Sequence, residues 1–368
     1  MDKLLPDSTQ HRKIYCQILG FIRTGKYAAG SRLPTEKDFT TEFGVSRITI
    51  NRALNDLTRD GFIWRRQGSG SFVAAQKKFD LTIGVIIPGL FNHEIDSIFP
   101  TVLQHLVRQA AQFKWQILPG DPTLPGEPDA KDCKTVEVIR NLIDSNISGA
   151  IFVPHPIYGR GEALNHNVLA ELQKAKITSI LLDRDIVAAP RRSEWDLVCL
   201  DHERAGYDIG RHLIAQGCRR FVFVTEKLRF PTPHARLAGL RKALSESNLD
   251  IHDARILQGQ SDSISVAHNI IKTHKADAVV CDNDYDAAIV MKHLLSAGAK
   301  IPKQIKITGF DNAPIGKRLA IPLTTIAQPP AALSYKALST LRDRLSNKTL
   351  PTCTTAIHGR LIIRKSTS

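Results

Sequence analysis

The stretch Trp64-Arg-Arg-Gln-Gly-Ser-Gly-Ser-Phe-Val73 sets a Gly68-Ser69-Gly70 tip between two arginines and an apolar pair. Such a tip can cradle the phosphates of a nucleotide, touch those of DNA, or simply turn the chain. A nucleotide loop needs glycines between a buried strand and a helix, followed by Lys-Ser/Thr or spaced as G-x-G-x-x-G. Neither follows Gly70. Phe62-Ile-Trp-Arg-Arg66 before the tip and Ser71-Phe-Val-Ala-Ala75 after it are both strand-like, so the stretch is predicted to be a hairpin with a glycine turn. What the hairpin touches depends on its neighbours.

Upstream, Ile14, Ile18 and Ile22 recur every four residues and give one apolar helix face between His11 and Lys26. Thr35 and Asp38, just after Pro34, have the spacing of a capping box, which predicts a second helix over 35–43. Phe43-Gly-Val-Ser46 reads as a tight turn with Ser46 as N-cap of a third helix reaching about Asp60. At 100° per residue that helix places Ile50, Ala53, Leu54 and Leu57 on a buried face. Ile48, Asn51, Arg52, Asn55 and Arg59 take the opposite face, with Arg47 and Thr49 at the N-terminal end. Arg and Asn suit guanine and adenine edges, and an exposed Ile suits a thymine methyl.

The charge distribution agrees. The 368 residues carry +14, and the first eighty hold 14 Lys/Arg against 8 Asp/Glu, nearly three times the charge per residue of the rest. A basic N-terminal module on a less charged body points to a polyanion there, a solvated basic face being the alternative. With 42% hydrophobic residues, the chain has material for two or three domains. The cysteines at 16, 133, 199, 218, 281 and 353 form no CxxC and no cluster with histidine. Structural thiols in a reducing compartment, with no metal and no cofactor, are the expectation. The polar start and the lack of a long apolar run predict a cytoplasmic protein with no signal peptide and no membrane contact.

Residues 10–75 resemble the GntR family of winged-helix transcription regulators, through Arg32-Leu-Pro-Thr-Glu36, Phe43-Gly-Val-Ser-Arg-Ile-Thr49, Asn51-Arg-Ala-Leu54, Leu57, Gly61 and Arg65-Arg-Gln-Gly-Ser-Gly-Ser-Phe-Val73. The resemblance makes the glycine hairpin the wing. It implies DNA contact by Arg32, Thr35, Glu36, Lys37, Ser46, Arg47, Thr49, Asn51 and the wing tip Gln67-Gly68, and the exposed helix face adds Ile48 and Arg52. Many members carry Arg where this chain has Asn51.

From Phe79 onward, Ile/Val-rich runs alternate with helical patterns, which predicts an α/β body of parallel sheets wrapped by helices. About ten strands suit two sheets better than one. Ligands in such folds sit beyond the carboxyl ends of strands. This body resembles the LacI/GalR-type effector domain, itself similar to periplasmic sugar-binding proteins. The carrying residues include Leu181-Leu-Asp-Arg184, Ala205-Gly-Tyr207, Arg236-Leu-Ala-Gly239, Cys281-Asp-Asn-Asp284, Ile307-Thr-Gly-Phe-Asp311 and Pro322-Leu-Thr-Thr-Ile-Ala-Gln328. The pairing of reader and body, with Glu94-Ile-Asp-Ser-Ile-Phe-Pro100 in the first loop, is similar to arabinose-type sugar repressors.

The expected organisation is a reader over 1–75, a linker over 76–80 and an effector and dimerisation domain over 81–368. The N-lobe is expected at about 81–190 and 320–335, and the C-lobe at about 195–315 and 336–368. Three crossovers between the lobes are implied, with effector contacts at Asn92, Glu94, Asp96, Asp183, Arg236, Asn283, Asp311 and Gln328. Carboxylates, amides and a guanidinium suit vicinal hydroxyls, hence a sugar, with a non-sugar metabolite as the alternative. The functional expectation is a homodimeric regulator without catalysis, acting as a repressor on a pseudo-palindromic operator. An activator, or an enzyme fused to a DNA reader, is the alternative. The enzyme reading lacks a G-x-S-x-G elbow, an H-E-x-x-H and a lysine in a pyridoxal phosphate context.

Overall fold

The computed structural model describes residues 7–23, 26–59, 61–66, 68–74, 79–90, 98–122, 131–155, 161–187, 191–225, 231–259 and 265–368. The chain divides into two compact units, 1–78 and 79–368, and the division falls inside the segment read as a linker.

In the first unit, helix α1 (Asp7–Arg23) buries Ile14, Ile18 and Ile22. Helix α2 (Glu36–Phe43) starts at the expected capping box: Thr35 accepts from the Asp38 amide, and the Asp38 carboxylate accepts from the Thr35 amide. It stops at Gly44, whose φ of 64° suits a residue without Cβ. In helix α3 (Arg47–Arg59), Ile50, Ala53, Leu54 and Leu57 are buried, the face that the periodicity selects. Strands β1 (Ile63–Arg66) and β2 (Gly70–Val73) form the antiparallel hairpin, with Ile63 opposite Val73 and Arg66 opposite Gly70. Gly68 and Gly70 turn it with φ of 75° and 107°. Phe39, Leu54, Ile63 and Val73 close one core beneath the three helices and the hairpin.

The second unit follows a strand–helix rhythm. Its first part runs β3 (Leu81–Ile86), α4 (Phe99–Ala110), β4 (Trp115–Gly120), α5 (Lys131–Asp144), β5 (Gly149–Phe152), α6 (Gly161–Lys174), β6 (Thr178–Leu182) and β7 (Leu197–Leu200). The second part runs α7 (His202–Ala215), β8 (Phe221–Thr225), α8 (Pro231–Ser245), β9 (Ile256–Gln258), α9 (Ser265–His268), β10 (Ala278–Cys281), α10 (Asp284–Ser296), β11 (Lys306–Phe310), α11 (Pro314–Arg318) and β12 (Thr324–Ala327). Helix α12 (Pro330–Ser346) and strands β13 (Thr354–Ile357) and β14 (Arg360–Ile362) complete the chain.

Among the described residues these strands form two six-stranded sheets, ordered β13-β7-β6-β5-β3-β4 and β14-β12-β11-β10-β8-β9. Every pairing is parallel except β12 with β14. Each sheet is the centre of a lobe, and the chain crosses between them after β7, after β12 and after β13. The lobe boundaries differ from the expected ones. Strand β7 and strand β13 belong to the N-lobe, and so does α12, whose Leu333, Ala337, Leu338 and Leu341 pack with Ile83, Val85 and Ile151. Strands β12 and β14 belong to the C-lobe. The crossovers are only one or two residues long and have no linker composition, so hydropathy finds the strands without revealing which sheet each joins. Where they pass, a Cβ on Gly359 would lie 2.6 Å from Ile326 Cγ2 and 3.3 Å from Leu200 Cδ1. The glycine is what lets the crossing segments touch.

Candidate functional site

On the first unit, the N-terminal end of α3 offers Arg47, whose side chain is 80% exposed, and Ile48, 65% exposed. Arg47 is steered by Glu36 of α2: its Nε donates to Glu36 Oε2 at 2.8 Å. The other oxygen of Glu36 accepts from Arg65 Nη2 at 2.5 Å, and Arg65 Nη1 reaches Asn51 Oδ1 at 2.8 Å and Asn55 Oδ1 at 2.7 Å. Glu36 thus ties α2, α3 and the hairpin together. The Arg47 hydrogen bond, opposed by partial burial and reinforced by Arg65, holds its carboxyl below the ordinary range. A concavity of about 450 Å³ is lined by Arg32, Thr35, Glu36, Lys37, Arg47 and Arg65, among others. On the hairpin, Trp64 stacks on Phe72 at 4.4 Å and remains 45% exposed.

Most of the expected contact residues therefore gather on one face, with two exceptions and one residue out of view. Thr49 is 1% exposed, and its hydroxyl lies 2.9 Å from Ser46 Oγ. Ser46 Oγ also accepts from the Thr49 amide at 3.2 Å. Thr49 belongs to the cap and core of α3 rather than to its surface, and Ser46 is engaged as the cap. Gln67 lies outside the described residues. Arg65 belongs to this face as well, although the resemblance implies no DNA contact for it. Its place in the strand, across from α3, is the signal that could have singled it out.

In the second unit, charged and polar side chains converge where strands end. Arg236 of α8, 7% exposed, is the centre. Its Nη1 donates to the Asp282 carbonyl, its Nε donates to His202 Nδ1 at 3.3 Å, and its Nη2 lies 3.8 Å from Asp311 Oδ1. The guanidinium also stacks over the Phe310 ring at 4.3 Å. Asp311 accepts from Gln328 Nε2 at 2.6 Å. Asp183, at the end of β6, is ion-paired with Arg184 at 2.7 Å. Burial works to raise its pKa, but Arg184 foremost, with Arg236, outweighs burial and holds the carboxyl below the ordinary range. Asp183 and Asp311 have φ of 76° and 98°, a left-handed backbone uncommon for residues with a side chain. The N-lobe comes near through Ile98 and Thr101, which with Asp311, Asn312, Gln328 and Pro330 line a cavity of about 190 Å³.

The meeting of α7 and α8 sets His202 beside Arg236. A Cβ on Gly206 would lie 1.9 Å from the Arg236 carbonyl oxygen, and one on Gly239 would lie 1.8 Å from that of Glu203. Only glycine at both positions allows the two helix backbones to touch there.

Asn283 differs from expectation. Its Oδ1 accepts from the Asp286 amide at 2.7 Å as the N-cap of α10, and its Nδ2 donates to Asp282 at 2.8 Å and Asp286 at 3.0 Å. Both amide protons are committed within the protein. The neighbouring Asp282 and Asp284 are buried, and burial foremost pushes their carboxyls up to about 8 and about 7. Asn92, Glu94 and Asp96 lie outside the described residues. Among those described, no group of His, Cys, Asp and Glu could hold a metal, and no helix is long and apolar enough to cross a membrane.

Residues 10–73 match the gntR family of bacterial regulatory proteins, and residues 211–367 match the periplasmic binding protein-like domain. Two different family models thus match the two ends of the chain. It is 26% identical, over 383 aligned residues, to the arabinose metabolism transcriptional repressor of Geobacillus stearothermophilus, covering 100% of this chain and 99% of that protein. The fold is shared with a transcriptional regulator CelR-cellobiose complex, at TM-score 0.65 and 15% identity over 91% of this chain and 100% of that one. It is also shared with a periplasmic binding protein/LacI transcriptional regulator from Alkaliphilus metalliredigens QYMF complexed with D-xylulofuranose. That pair has TM-score 0.61 and 21% identity over 78% of this chain and 100% of the other. The Glu36-bridged arginines lie inside the segment matched by the gntR model, and Arg236 lies inside the segment matched as periplasmic-binding-protein-like.

Proposed function

We propose that this protein is a DNA-binding transcription regulator, acting as a repressor, whose operator affinity is set by a small polyhydroxylated effector held between the two lobes. The observation that carries the reading is the geometry of the GntR-type reader. Arg47 and Ile48 project from the helix end that enters the major groove in proteins of this kind, while Glu36 and Arg65 hold that end against α2 and the hairpin. The second unit supplies a hinge of three short crossovers and a polar cleft whose donors and acceptors suit hydroxyl groups. Its cavity lies below the size range of drug-sized ligands, which suits a small metabolite. Relatives named for arabinose metabolism and solved with sugars support a sugar as the effector class. One reader per chain leads to a homodimer on a pseudo-palindromic operator, because a single module buries too little surface for high specificity.

Selection of bound duplexes from a random pool tests the first half of this reading, and enrichment of an inverted repeat is expected. Fluorescence anisotropy on the enriched duplex, with and without a set of neutral mono- and disaccharides, tests the second. The expected result is a sugar-dependent loss of affinity. Failure to enrich any sequence would count against the regulator reading as a whole.

A further inference from the structure

Buried polar atoms almost always have partners, so one without a partner marks either a cost or a place for a ligand. Two such atoms sit on the Arg236 network: His202 Nε2 and Gln328 Oε1. His202 is 6% exposed and opens α7 directly after the first crossover, and Gln328 is 9% exposed and follows β12 at the second. Their hydrogen-bonding character is fixed by their other partners. The Nε of Arg236 can only donate, so His202 Nδ1 accepts and the ring is the neutral tautomer with its proton on Nε2. Burial foremost, then Arg236, pushes the pKa of His202 down to about 3, against the opposing pull of Asp183. The Asp311 carboxylate can only accept, so Gln328 faces it with Nε2 and is left with a free carbonyl oxygen. The Arg236 network therefore holds one neutral donor, on His202, and one neutral acceptor, on Gln328, and Gln328 lines the cavity that Ile98 and Thr101 also line. Arg236 is itself occupied by the Asp282 carbonyl, His202, Asp311 and the Phe310 face. The Asp311 carboxylate, 3.8 Å from its Nη2, already answers its charge, which disfavours a second anion there.

We propose that His202 Nε2–H and Gln328 Oε1 form the pair that selects the effector by hydrogen bonding to hydroxyl groups of an uncharged polyol, which makes His202 an effector-contact residue. This deepens the regulator reading above and rests on it. A site built to pair hydroxyls rejects ligands that lack them, because its buried polar groups are then stranded. Charged analogues are disfavoured for the reason given for Arg236.

The test is calorimetry on the full chain with L-arabinose, D-ribose, D-xylulose, 2-deoxy-D-ribose and cellobiose, alongside L-arabinonate, ribose 5-phosphate and hypoxanthine. It is run on wild type, His202→Phe and His202→Asn. At least one neutral sugar is expected to bind wild type. His202→Phe should weaken that sugar at least about tenfold, and His202→Asn, whose amide can both accept from Arg236 and donate to the ligand, should recover part of the loss. A nitrogen-15 imidazole spectrum of the wild type needs no variant to fold: the His202 ring should appear as the Nε2–H tautomer at pH 7, and its Nε2–H proton should shift on saturation with the sugar. A sugar that binds equally well to His202→Phe, or that leaves the Nε2–H resonance unmoved, overturns the contact and leaves the sugar reading standing. Binding of L-arabinonate or ribose 5-phosphate in place of every neutral sugar overturns the uncharged-polyol assignment. No binding by any compound overturns the effector reading together with this proposal.

Discussion

Arg47 reaches outward from α3 and leans on Glu36, so its substitution separates recognition from folding. Arg47→Ala should weaken binding of the selected duplex by about 1–3 kcal/mol, the scale of one good base or phosphate contact. It should barely move the melting temperature, since an exposed ion pair contributes little. Anisotropy beside a melting curve checks both. Within the C-lobe, Asp284 accepts from the Ala313 amide at 2.7 Å and from Thr325 Oγ1 at 2.6 Å. Burial, opposed by these bonds and aided by Asp311, pushes its pKa up to about 7. The folded carboxyl keeps a proton that the unfolded chain has lost above its ordinary value of 3.8, so this stabilisation is full below that value and lost as pH rises through about 7. Asp282 acts in the same sense up to about 8. The buried His155 and His202, lowered to about 4 and about 3, act oppositely below 6.5, because there the unfolded chain binds the extra protons. The opposing slopes largely cancel between about pH 4 and 6.5, and stability should then fall toward pH 8 at about 1.4 kcal/mol per pH unit for each retained proton. Asp284→Asn should flatten that fall. Urea midpoints across the range give the answer, and an unchanged slope in the variant would place the proton elsewhere.

Helices show where a sequence can be read and where it cannot. The buried face of α3 was legible because a 3.6-residue period leaves no choice for Ile50, Ala53, Leu54 and Leu57. The capping box of α2 was legible because its residue types and spacing state the hydrogen bonds directly. Thr49 and Asn283 mark the limit, because a polar side chain near a helix start can face a ligand or close a cap, and spacing alone does not tell these apart. His202 went unnoticed because its partner Arg236 is 34 residues away, and only the contact of α7 with α8 joins them. That contact depends on Gly206 and Gly239. Gly206→Ala drives a Cβ into the Arg236 carbonyl, with backbone on both sides and no flexible chain end to yield. The expected cost is about 1–3 kcal/mol or more, typical of overpacking, with loss of sugar affinity as Arg236 shifts from His202. Chemical denaturation and calorimetry report the two effects, and a variant of wild-type stability and affinity would mean that the helices can part freely.

Across the whole molecule, two sheets were legible from the number of Ile/Val runs, but the allotment of strands to lobes was not. The exchange at β7, β12, α12 and β13 is made by crossovers so short that no change of composition announces them. Such crossovers make the lobes a natural hinge, because a few residues at element ends can absorb a closure. Light scattering at micromolar concentration should report a homodimer, and a monomer on a single half-site would remove the basis for an inverted repeat. The central claim is that the cleft and the GntR-type reader share one equilibrium. Titrating the binding sugar by calorimetry with and without the selected operator tests it most directly, since coupling must be reciprocal. Operator DNA is expected to weaken sugar binding by the same factor by which sugar weakens operator binding, about 5- to 150-fold. Equal sugar affinity in the presence and absence of operator would contradict it.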